Sequence, residues 1–586
     1  QVLIEVIPEL EAIVGEQPSV PELSGSAAQN RFNLLFEKFI AVFTTQEHPL
    51  TIFLDDLQWA DSASLNLLKV LMGESRTGYL LLLGAYRDNE VFPAHPLMLT
   101  LGNLEKKQTA ISTITLAPLS VAQIDRLVAE TLSCPLELAS PLTDLVYQKT
   151  KGNPFFTTQF LKGLHEDGSI GFNYNLGYWE CDLVKLREAA LTDDVVEFMT
   201  RRLHKLPEAT QNVMKLAACI GNQFDLETLA IICEKPSEEV AADLWSALRE
   251  GLILPQSQAY KFFQGWEKDE GRVEGISVGY RFLHDRVQQA AYSLIKSDRK
   301  QSTHFKIGQR LLNNTPEETL DEKIFEIVNH LNIGIESADK FFEGFQLAQL
   351  NLRAGQQAKA TTAYQAAVEY LAVARNLIPT SSWEERYAFT LKLYQESVEA
   401  AYLTADFKQM EKFVEIVQNR AQTLLDTIPV YQVKMQAGLA QNKLPEVLQT
   451  GRDVLQSLEI IFPETPNSSD VEATISAILS KLTGKAPMSL IELPLMSDPV
   501  KLASMRILKN LAPCTYQVMP MLLPLVVIKQ VELSVEYGNM VLSPLGYAYF
   551  GLILCGMVDD IETGYQFGRL ALALDRKSTR LNSSHT

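Results

Sequence analysis

A short apolar strand that ends in two acids constrains this chain most. Residues Thr51 to Leu54 are apolar or β-branched and are followed at once by Asp55 and Asp56. A buried strand of a parallel sheet is a nearly continuous apolar run, and such sheets bind ligands beyond the carboxyl ends of their strands. We therefore expect both carboxylates to lie at a ligand crevice of an α/β domain.

The flanking sequence alternates as an α/β sheet requires. From about Gln29 to Leu116, short apolar runs alternate with amphipathic segments. The expected helices are Val2 to Ile13, Phe32 to Phe43, Ser62 to Met72 and Leu97 to Leu104, and the expected strands are Leu50 to Leu54, Tyr79 to Ala85 and Ile111 to Leu116. This order indicates a parallel sheet covered by helices. Asp61 is expected to cap the helix that starts at Ser62.

Two acids at a strand end suit the chemistry of nucleoside triphosphate hydrolysis. One carboxylate holds magnesium and the other orients the attacking water, because phosphoryl transfer depends on positioning and charge neutralisation. Such a strand also occurs by chance in many α/β proteins, so the pair alone leaves both interpretations open. The sequence contains no G-x-x-x-x-G-K-[ST] phosphate loop, and its nearest match, Gly484-Lys485-Ala486, lacks the upstream Gly and the hydroxyl.

Three further motifs follow in order along the chain. Arg87 stands at the end of the next apolar run, where a cation can contact a terminal phosphate; the alternative is a surface ion pair with Asp88 or Glu90. Pro154, in Gly152-Asn153-Pro154, is also ordinary as a first helical residue. His284 and Asp285 open an amphipathic helix. The alternatives are that His284 is a structural histidine and that Asp285 is an acid at a helix start.

The middle of the chain predicts a second architecture. Residues Ser120 to about Glu166 are helical in pattern, and Ile170 to Cys181, rich in aromatics about a Gly, predicts a β-hairpin. Three or four short helices are expected from Thr192 to Leu254. Together with a strand at Val278 to Leu283, they predict a winged-helix unit.

Beyond about Lys296 the pattern is almost entirely helical and repeats. The segment from Tyr394 to Phe407 aligns with the one from Tyr431 to Leu444, 37 residues later. Each pairs two helices across a short polar turn, with a period close to the 34 of tetratricopeptide (TPR) repeats. Ala358 to Pro379 and Ser543 to Leu574 are expected to be further members. Interruptions are expected at Pro463 to Asp470 and at Pro487 to Pro499.

Composition excludes several classes of protein. The net charge of −19 argues against a nucleic-acid or anionic-membrane surface. The six cysteines lack disulfide-scaffold or zinc spacing, which indicates reduced thiols in a cytoplasmic protein. The uncharged stretch Asn539 to Val558 is about long enough to cross a bilayer, but its prolines, glycines and repeat setting favour a buried hairpin.

Both ends of the sequence look unusual. The chain opens at Gln1 without Met, within an expected helix, so we expect a piece of a longer protein. The last residues, Arg576 to Thr586, abandon the preceding apolar periodicity and resemble translated sequencing-adapter sequence.

Taken in order, the four motifs resemble those of the signal-transduction ATPases with numerous domains (STAND), a branch of the AAA-type P-loop ATPases. The segments that carry the resemblance are Pro49 to Asp61, Gly84 to Val91, Lys149 to Phe156 and Leu283 to Tyr292. They look most like the predicted-ATPase module of large bacterial, especially cyanobacterial, hybrid kinases. In those proteins a serine/threonine kinase domain precedes the ATPase, and GAF and histidine-kinase domains follow the helical repeats.

The resemblance implies a role for each residue. Asp55 resembles the acid that coordinates Mg²⁺, Asp56 the catalytic acid, and Arg87 the sensor of the terminal phosphate. Pro154 matches the position that packs on the base or ribose, and His284 the histidine that holds ADP and keeps the switch off. ATP, ADP and Mg²⁺ are thus the implied cofactors, and the absent phosphate loop would lie upstream of Gln1.

The predicted fold is therefore a partial α/β P-loop-type ATPase core, followed by a winged-helix region and all-α TPR-like repeats. The expected domains are the partial core at 1–118, a helical lid at 119–191, the winged helix at 192–296, the repeats at 297–575 and an artefactual tail at 576–586. The expected partners are the other domains of a parent kinase, proteins bound by the repeats and copies in a nucleotide-dependent oligomer, with neither nucleic acid nor membrane.

Three functional hypotheses stay open at this point. The first is a regulatory nucleotide switch of a multidomain signalling kinase. The second is a STAND-type transcriptional regulator, although acids outnumber bases from Phe198 to Pro255. The third is an inert scaffold that acts through its repeats. The chain has no protein-kinase signature of its own, neither His-Arg-Asp with a downstream Asn nor Asp-Phe-Gly.

Overall fold

A computed structural model describes residues 1–18, 20, 26–73, 78–88, 91, 95–107, 109–166, 168–175, 177–182, 195–257, 278–335 and 344–584. It divides into two compact units. One comprises Gln1–Ala110 with Glu343–Thr586, and the other Ile111–Phe342. The predicted order of a partial ATPase core, a winged-helix region and helical repeats is confirmed.

The first region contains two parallel strands and the helices that flank them in the chain. Strand β1 (Leu50–Leu54) pairs in register with β2 (Leu80–Gly84). The helices are α1 (Leu10–Val14), α2 (Ser26–Phe43), α3 (Ser62–Gly73) and α4 (Pro96–Lys106). Asp61 accepts a hydrogen bond from the Ser64 amide at 2.7 Å, which confirms its capping role.

Two expectations for this region are wrong. The expected helix from Val2 to Ile13 is helical only from Leu10, after a series of turns; Pro8 lacks an N–H and restricts the residue before it, which opposes a continuous helix. The expected strand from Ile111 to Leu116 has no regular secondary structure and no strand partner in the part of the chain that the structure describes, and Leu116 is 89% exposed. An apolar run becomes a strand only where a neighbouring strand completes its hydrogen bonds.

Three helices and a hairpin follow in the segment that is expected to be a lid, and we keep that name for it. The helices are α5 (Val121–Leu132), α6 (Leu136–Thr150) and α7 (Pro154–Glu166). Ser120 and Gln123 form a capping box at the start of α5. The predicted hairpin is confirmed as β3 (Ile170–Asn173) and β4 (Tyr178–Cys181), paired antiparallel.

The winged-helix region packs helices on a small antiparallel sheet. Its helices are α8 (Val195–His204), α9 (Glu208–Ile220), α10 (Leu226–Cys233), α11 (Ser237–Arg249) and α12 (Asp285–Ser293), and its strands are β5 (Gln223–Asp225), β6 (Ile253–Pro255) and β7 (Gly279–Phe282). Strand β7 lies between β5 and β6. Tyr280 and Phe282 are buried while Arg281 between them is exposed, as strand periodicity requires.

Two more helices complete this unit. Helix α13 (Ser297–Asn314) and helix α14 (Leu320–Gly334) pack against each other, and α13 also contacts α10. The Arg310 guanidinium donates to the Ile232 carbonyl and pairs with Glu234 at the end of α10. The compact unit extends to 342. Of the expected domain boundaries, the one at 191 lies outside the described residues, and those at 118, 296 and 575 stay predictions.

The remaining helices pack mainly against helices that are near them along the chain. They are α15 (Gly344–Ala360), α16 (Tyr364–Leu377), α17 (Ser382–Glu385), α18 (Tyr387–Leu403), α19 (Phe407–Arg420), α20 (Leu424–Ala440), α21 (Leu444–Ser457), α22 (Ser468–Leu482), α23 (Pro499–Val518), α24 (Leu522–Tyr537), α25 (Ser543–Ile553) and α26 (Ile561–Ser584). The predicted repeat offset is visible in the backbone, because Ala405 and Asn442, 37 residues apart, both have positive φ at the turn inside a pair.

The stretch from Asn539 to Val558 is part of this stack. Helix α25 is followed by a π-helical turn at Leu554–Val558, and Tyr547 and Phe550 are fully buried against neighbouring helices. Within the described ranges, no helix is both long and apolar enough to span a bilayer. Helix α26 continues to Ser584, so the unusual terminal sequence keeps helical backbone.

Candidate functional site

The acidic pair and Arg87 follow neighbouring parallel strands. Because β1 and β2 pair in register from Leu50 to Leu54, the residues that follow them leave the sheet side by side. Two backbone hydrogen bonds extend this pairing beyond the strands. The Ala85 amide donates to the Leu54 carbonyl at 2.8 Å, and the Leu57 amide donates to the Ala85 carbonyl at 2.9 Å.

A buried glutamine links Asp56 to the second strand. The Gln58 Nε2 donates to Asp56 Oδ1 at 2.9 Å, and its Oε1 accepts from the Arg87 amide at 3.2 Å. Gln58 is buried and Asp56 has a left-handed backbone (φ 54°), which starts the short 3₁₀ turn Leu57–Trp59. The sequence did not lead us to assign a role to Gln58. Its position between the acidic pair and Trp59 was the sequence feature that pointed to one.

Arg87 lies against Asp56. Its Nε is 3.7 Å from Asp56 Oδ1, and its guanidinium carbon is 5.5 Å from the centre of the Trp59 ring. Asp56 is thus one ion-pair partner of Arg87. The surface pair that the sequence offered as the alternative was with Asp88 or Glu90, and Glu90 lies outside the described residues. Both side chains are about one-third exposed, so the pair remains within reach of a ligand.

Asp55 has the more accessible carboxylate of the two. It is exposed, and its Oδ1 accepts a hydrogen bond from the Asp56 amide at 3.0 Å. Among the described residues no cluster of three His, Cys, Asp or Glu side chains could hold a metal. Mg²⁺ in nucleotide sites commonly takes only one or two carboxylates, with water and phosphate completing its shell. Asp55 and Asp56 fit that donor set.

The Gly-Asn-Pro motif forms a tight turn into the lid helix α7. Gly152 has φ 83°, and a Cβ there would lie 2.2 Å from the Leu119 carbonyl oxygen, so only glycine fits. The Asn153 side chain caps the helix by accepting from the Phe156 amide at 3.1 Å. Pro154 is the first residue of the helix, where a missing N–H costs no hydrogen bond.

The structure brings the Pro154 motif to the His284 motif. The rings of Phe155 and His284 stack with their centroids 4.3 Å apart and their planes at 19°. His284 Nδ1 accepts from the Arg286 amide at 3.1 Å and lies against the Asp285 carboxylate, at the start of α12. Both of these contacts involve Nδ1. The described part of the chain shows no hydrogen bond to the other ring nitrogen of His284, Nε2.

A buried arginine that the sequence analysis missed connects the lid to the winged helix. Arg202 Nη1 donates to Gln159 Oε1 at 2.8 Å, and Nη2 lies 3.3 Å from Glu166 and 3.4 Å from Glu250. Its side chain is only 7% exposed. The sequence feature that pointed to this role is an arginine on the apolar face of a helix, because charged side chains are rarely buried without partners.

The expected site residues divide between the two compact units. Asp55, Asp56 and Arg87 belong to the first, and Pro154 and His284 to the second. Within each unit the structure groups the residues as described above. The roles assigned to these five residues stay predictions.

Comparisons with known proteins agree with the predicted family. Residues 4–83 match the AAA ATPase domain family. The chain is 26% identical to hybrid signal transduction histidine kinase G of Dictyostelium discoideum, over 98% of this chain and 20% of the relative. It is 21% identical to the peroxide stress-activated histidine kinase mak2 of Schizosaccharomyces pombe, over 67% of this chain and 16% of the relative. The chain thus spans about a fifth or less of the length of these relatives.

The comparison with solved structures also found a match. It is a STAND protein with a tetratricopeptide repeat sensor from Pyrococcus horikoshii, 12% identical, with a TM-score of 0.32 over 95% of this chain and 85% of that one.

Proposed function

We propose that this chain, an AAA-type ATPase and helical-repeat segment similar to part of the hybrid histidine kinases, is a nucleotide-responsive regulatory module of a multidomain signalling kinase. The observation that carries the proposal is the contact between Asp56, Gln58 and Arg87 at the carboxyl edge of the parallel strands. The match of residues 4–83 to the AAA ATPase domain supports it.

In this proposal the sheet edge binds the phosphates. Asp55, the exposed acid, holds Mg²⁺, which neutralises phosphate charge when bound. Asp56 orients the attacking water, and Arg87 contacts the terminal phosphate. Because Arg87 pairs with Asp56 in this structure, a terminal phosphate competes with that acid for the guanidinium. Nucleotide state is thereby coupled to the turn that Gln58 holds between the two strands.

The lid and winged helix supply the second half of the proposal. Pro154 packs on the base or ribose, and His284 Nε2 contacts the diphosphate. The stack of His284 on Phe155 supports this assignment, since it places the histidine one residue from Pro154. Exchange of ADP for ATP changes the contacts of His284, and the module relays that change to the neighbouring kinase domains. The helical repeats bind protein partners.

The test uses the full reading frame that contains this chain. Binding of Mg-ATP and Mg-ADP is measured by calorimetry and hydrolysis by phosphate release, for the wild type and for Asp55→Ala, Asp56→Ala, Arg87→Ala and His284→Ala. We expect Asp56→Ala to abolish hydrolysis while retaining binding, and His284→Ala to weaken ADP more than ATP. Asp88→Ala, beside Arg87 but without an assigned role, is the matched control.

The outcomes separate the hypotheses. Unchanged hydrolysis in both aspartate variants would refute the assignment of the acidic pair. Absence of any nucleotide binding by the full protein would replace the switch with the scaffold hypothesis. Nucleotide-dependent binding of a specific DNA duplex would favour a transcriptional regulator instead.

A further inference from the structure

A cavity lies between successive helix pairs of the repeat region. It has a volume of about 290 Å³ and is formed by residues of α16, α18 and α19. Its walls are mostly apolar, with Val368, Leu371 and Phe413 among them, and its polar groups include Arg375 and Ser397. A small, largely apolar cavity with a few convergent polar groups is the usual form of a small-ligand site.

Arg375 is held in place at the wall of this cavity. Its guanidinium carbon lies 4.4 Å from the centre of the Phe413 ring, and its Nη1 donates to Ser397 Oγ at 2.5 Å. The Ser397 hydroxyl in turn donates to the Leu393 carbonyl at 2.7 Å and is buried. The Phe413 ring and the Ser397 hydroxyl together orient the guanidinium. The side chain is therefore already ordered, and binding a ligand costs it little conformational entropy.

No acid of the described chain contacts the Arg375 guanidinium; the acid among the residues that line the cavity, Asp406, accepts a hydrogen bond from the Gln409 amide at 3.1 Å instead. In the described part of the chain Arg375 forms no ion pair with Asp or Glu, and burial lowers the pKa of its guanidinium. The nearby acid on α18, Glu396, is already paired with Lys359 at 2.5 Å and Lys392 at 3.0 Å. A half-buried cation without an acidic partner is costly unless a ligand supplies the opposite charge.

We propose that this cavity binds a small carboxylic acid with an apolar body, whose carboxylate pairs with Arg375. The planar guanidinium matches a carboxylate with two parallel hydrogen bonds. The apolar body lies against Val368, Leu371 and Phe413. Asp406, which also lines the cavity, adds a negative charge that selects a singly charged acid over phosphate. This site is separate from the proposed nucleotide site and adds a ligand-sensing function to the repeats.

The experiment is calorimetry and ligand-detected NMR on the full chain. The probes are phenylacetate, hexanoate and N-acetyl-leucine, with phenylacetamide as the uncharged analogue, inorganic phosphate as the competing anion and a peptide ending in leucine as a larger carboxylate. We expect saturable binding of at least one small acid and none of phenylacetamide or phosphate. Absence of saturable binding by all three acids overturns the proposal, as does binding of the peptide alone.

Arg375→Met is the decisive variant, because methionine keeps an apolar side chain against Phe413 and removes the charge. We expect it to weaken binding roughly tenfold to a hundredfold. The melting temperature should change little, because the loss of the Ser397 hydrogen bond and of the cation–π contact with Phe413 is offset by removal of a half-buried charge. Arg420→Met, on the exposed face of α19, is the matched control and should bind as the wild type does. Equal binding by Arg375→Met overturns the proposal. If that variant fails to fold, Arg375→Lys, which keeps the charge but loses the planar fork, must still bind the acids more weakly.

Discussion

The ATPase region at 1–110 and the unit at 111–342 bury their apolar residues to very different extents. Around β1 and β2 the described core cluster contains only Leu57, Leu65 and Leu97, and one face of the sheet leaves Phe53 and Leu81 more than half exposed. The winged helix encloses a continuous core that runs from Met199 to Ala291. A parallel sheet needs layers on both faces from distant segments, whereas a winged helix closes within one stretch of chain.

This difference in burial determines where exchangeable contacts and permanent contacts can form. The polar contacts of Asp56 and Arg87 lie at a partly exposed edge and can exchange partners with a ligand. The stack of His284 on Phe155 and the contacts of Arg202 lie in a packed unit that holds the lid and the winged helix together. Four predictions sharpen or break this contrast.

The largest expected difference comes from the same substitution in the two regions. Leu244 is fully buried in the winged-helix core, and Leu81 is 54% exposed on the sheet. We expect Leu244→Ala to lower the free energy of unfolding by about 2–5 kcal/mol and Leu81→Ala by less than about 0.5 kcal/mol. Hydrogen exchange measured on peptides of each region gives the two values separately. Equal losses of unfolding free energy in the two variants would contradict the difference in burial between the two regions.

The second prediction concerns pH. His330 is buried beside His304, with their Nδ1 atoms 2.9 Å apart; Tyr292 contacts His304 from α12, and Lys300 lies one turn before His304 on α13. Burial, reinforced by His304, lowers the pKa of His330 from 6.5 to about 4. The unfolded chain therefore binds the proton first as pH falls. Stability is fully present above pH 6.5 and declines toward pH 4, by up to about 3 kcal/mol.

The measurement is hydrogen-exchange protection of α13 and α14 between pH 7.5 and pH 4.5, corrected for intrinsic exchange. His330→Asn should flatten the pH dependence of these two helices. Protection that rises as pH falls, or a profile unchanged in His330→Asn, would show that another group controls it.

The third prediction tests the connection between lid and winged helix. Arg202→Ala leaves the buried Gln159 without its donor, so we expect a loss of roughly 1–3 kcal/mol in the unfolding free energy of this unit. Exchange should accelerate in both α7 and α8, whereas the ATPase region stays unchanged. Arg201→Ala, at the adjacent exposed position, is the control and should be nearly neutral. Acceleration confined to α8 would mean that Arg202 does not connect the two elements.

The smallest effect is expected at the sheet edge. A double-mutant cycle with Asp56→Ala and Arg87→Ala should give a coupling energy of less than about 1 kcal/mol in the absence of nucleotide, because the pair is partly exposed and its atoms are 3.7 Å apart. Chemical denaturation of the region measures it. A coupling of several kcal/mol would make the pair structural and would argue against exchange of Arg87 to a phosphate.

Local patterns predicted the elements well where a local rule was sufficient. Asp61 as an N-cap, the hairpin from Ile170 to Cys181 and the 37-residue repeat offset are set by turn chemistry and periodicity between near neighbours. The expected strand at Ile111 to Leu116 was wrong, because strand pairing depends on segments far away in sequence.

The six cysteines are free, as expected, and burial raises the pKa of Cys181 to about 11.

The sequence by itself determined the order of the architecture and placed Asp55, Asp56 and Arg87 after two apolar strands, because adjacent parallel strands bring their carboxyl ends to one edge. Only the tertiary structure decided that Gln58 bridges Asp56 and Arg87, that Phe155 stacks on His284, and that Arg375 lines a cavity of the repeat region. Gln58 and Arg87 are 29 positions apart and Phe155 and His284 are 129 apart, and the place of Arg375 depends on which side chains are buried together. Packing selects such contacts, and no local pattern encodes them.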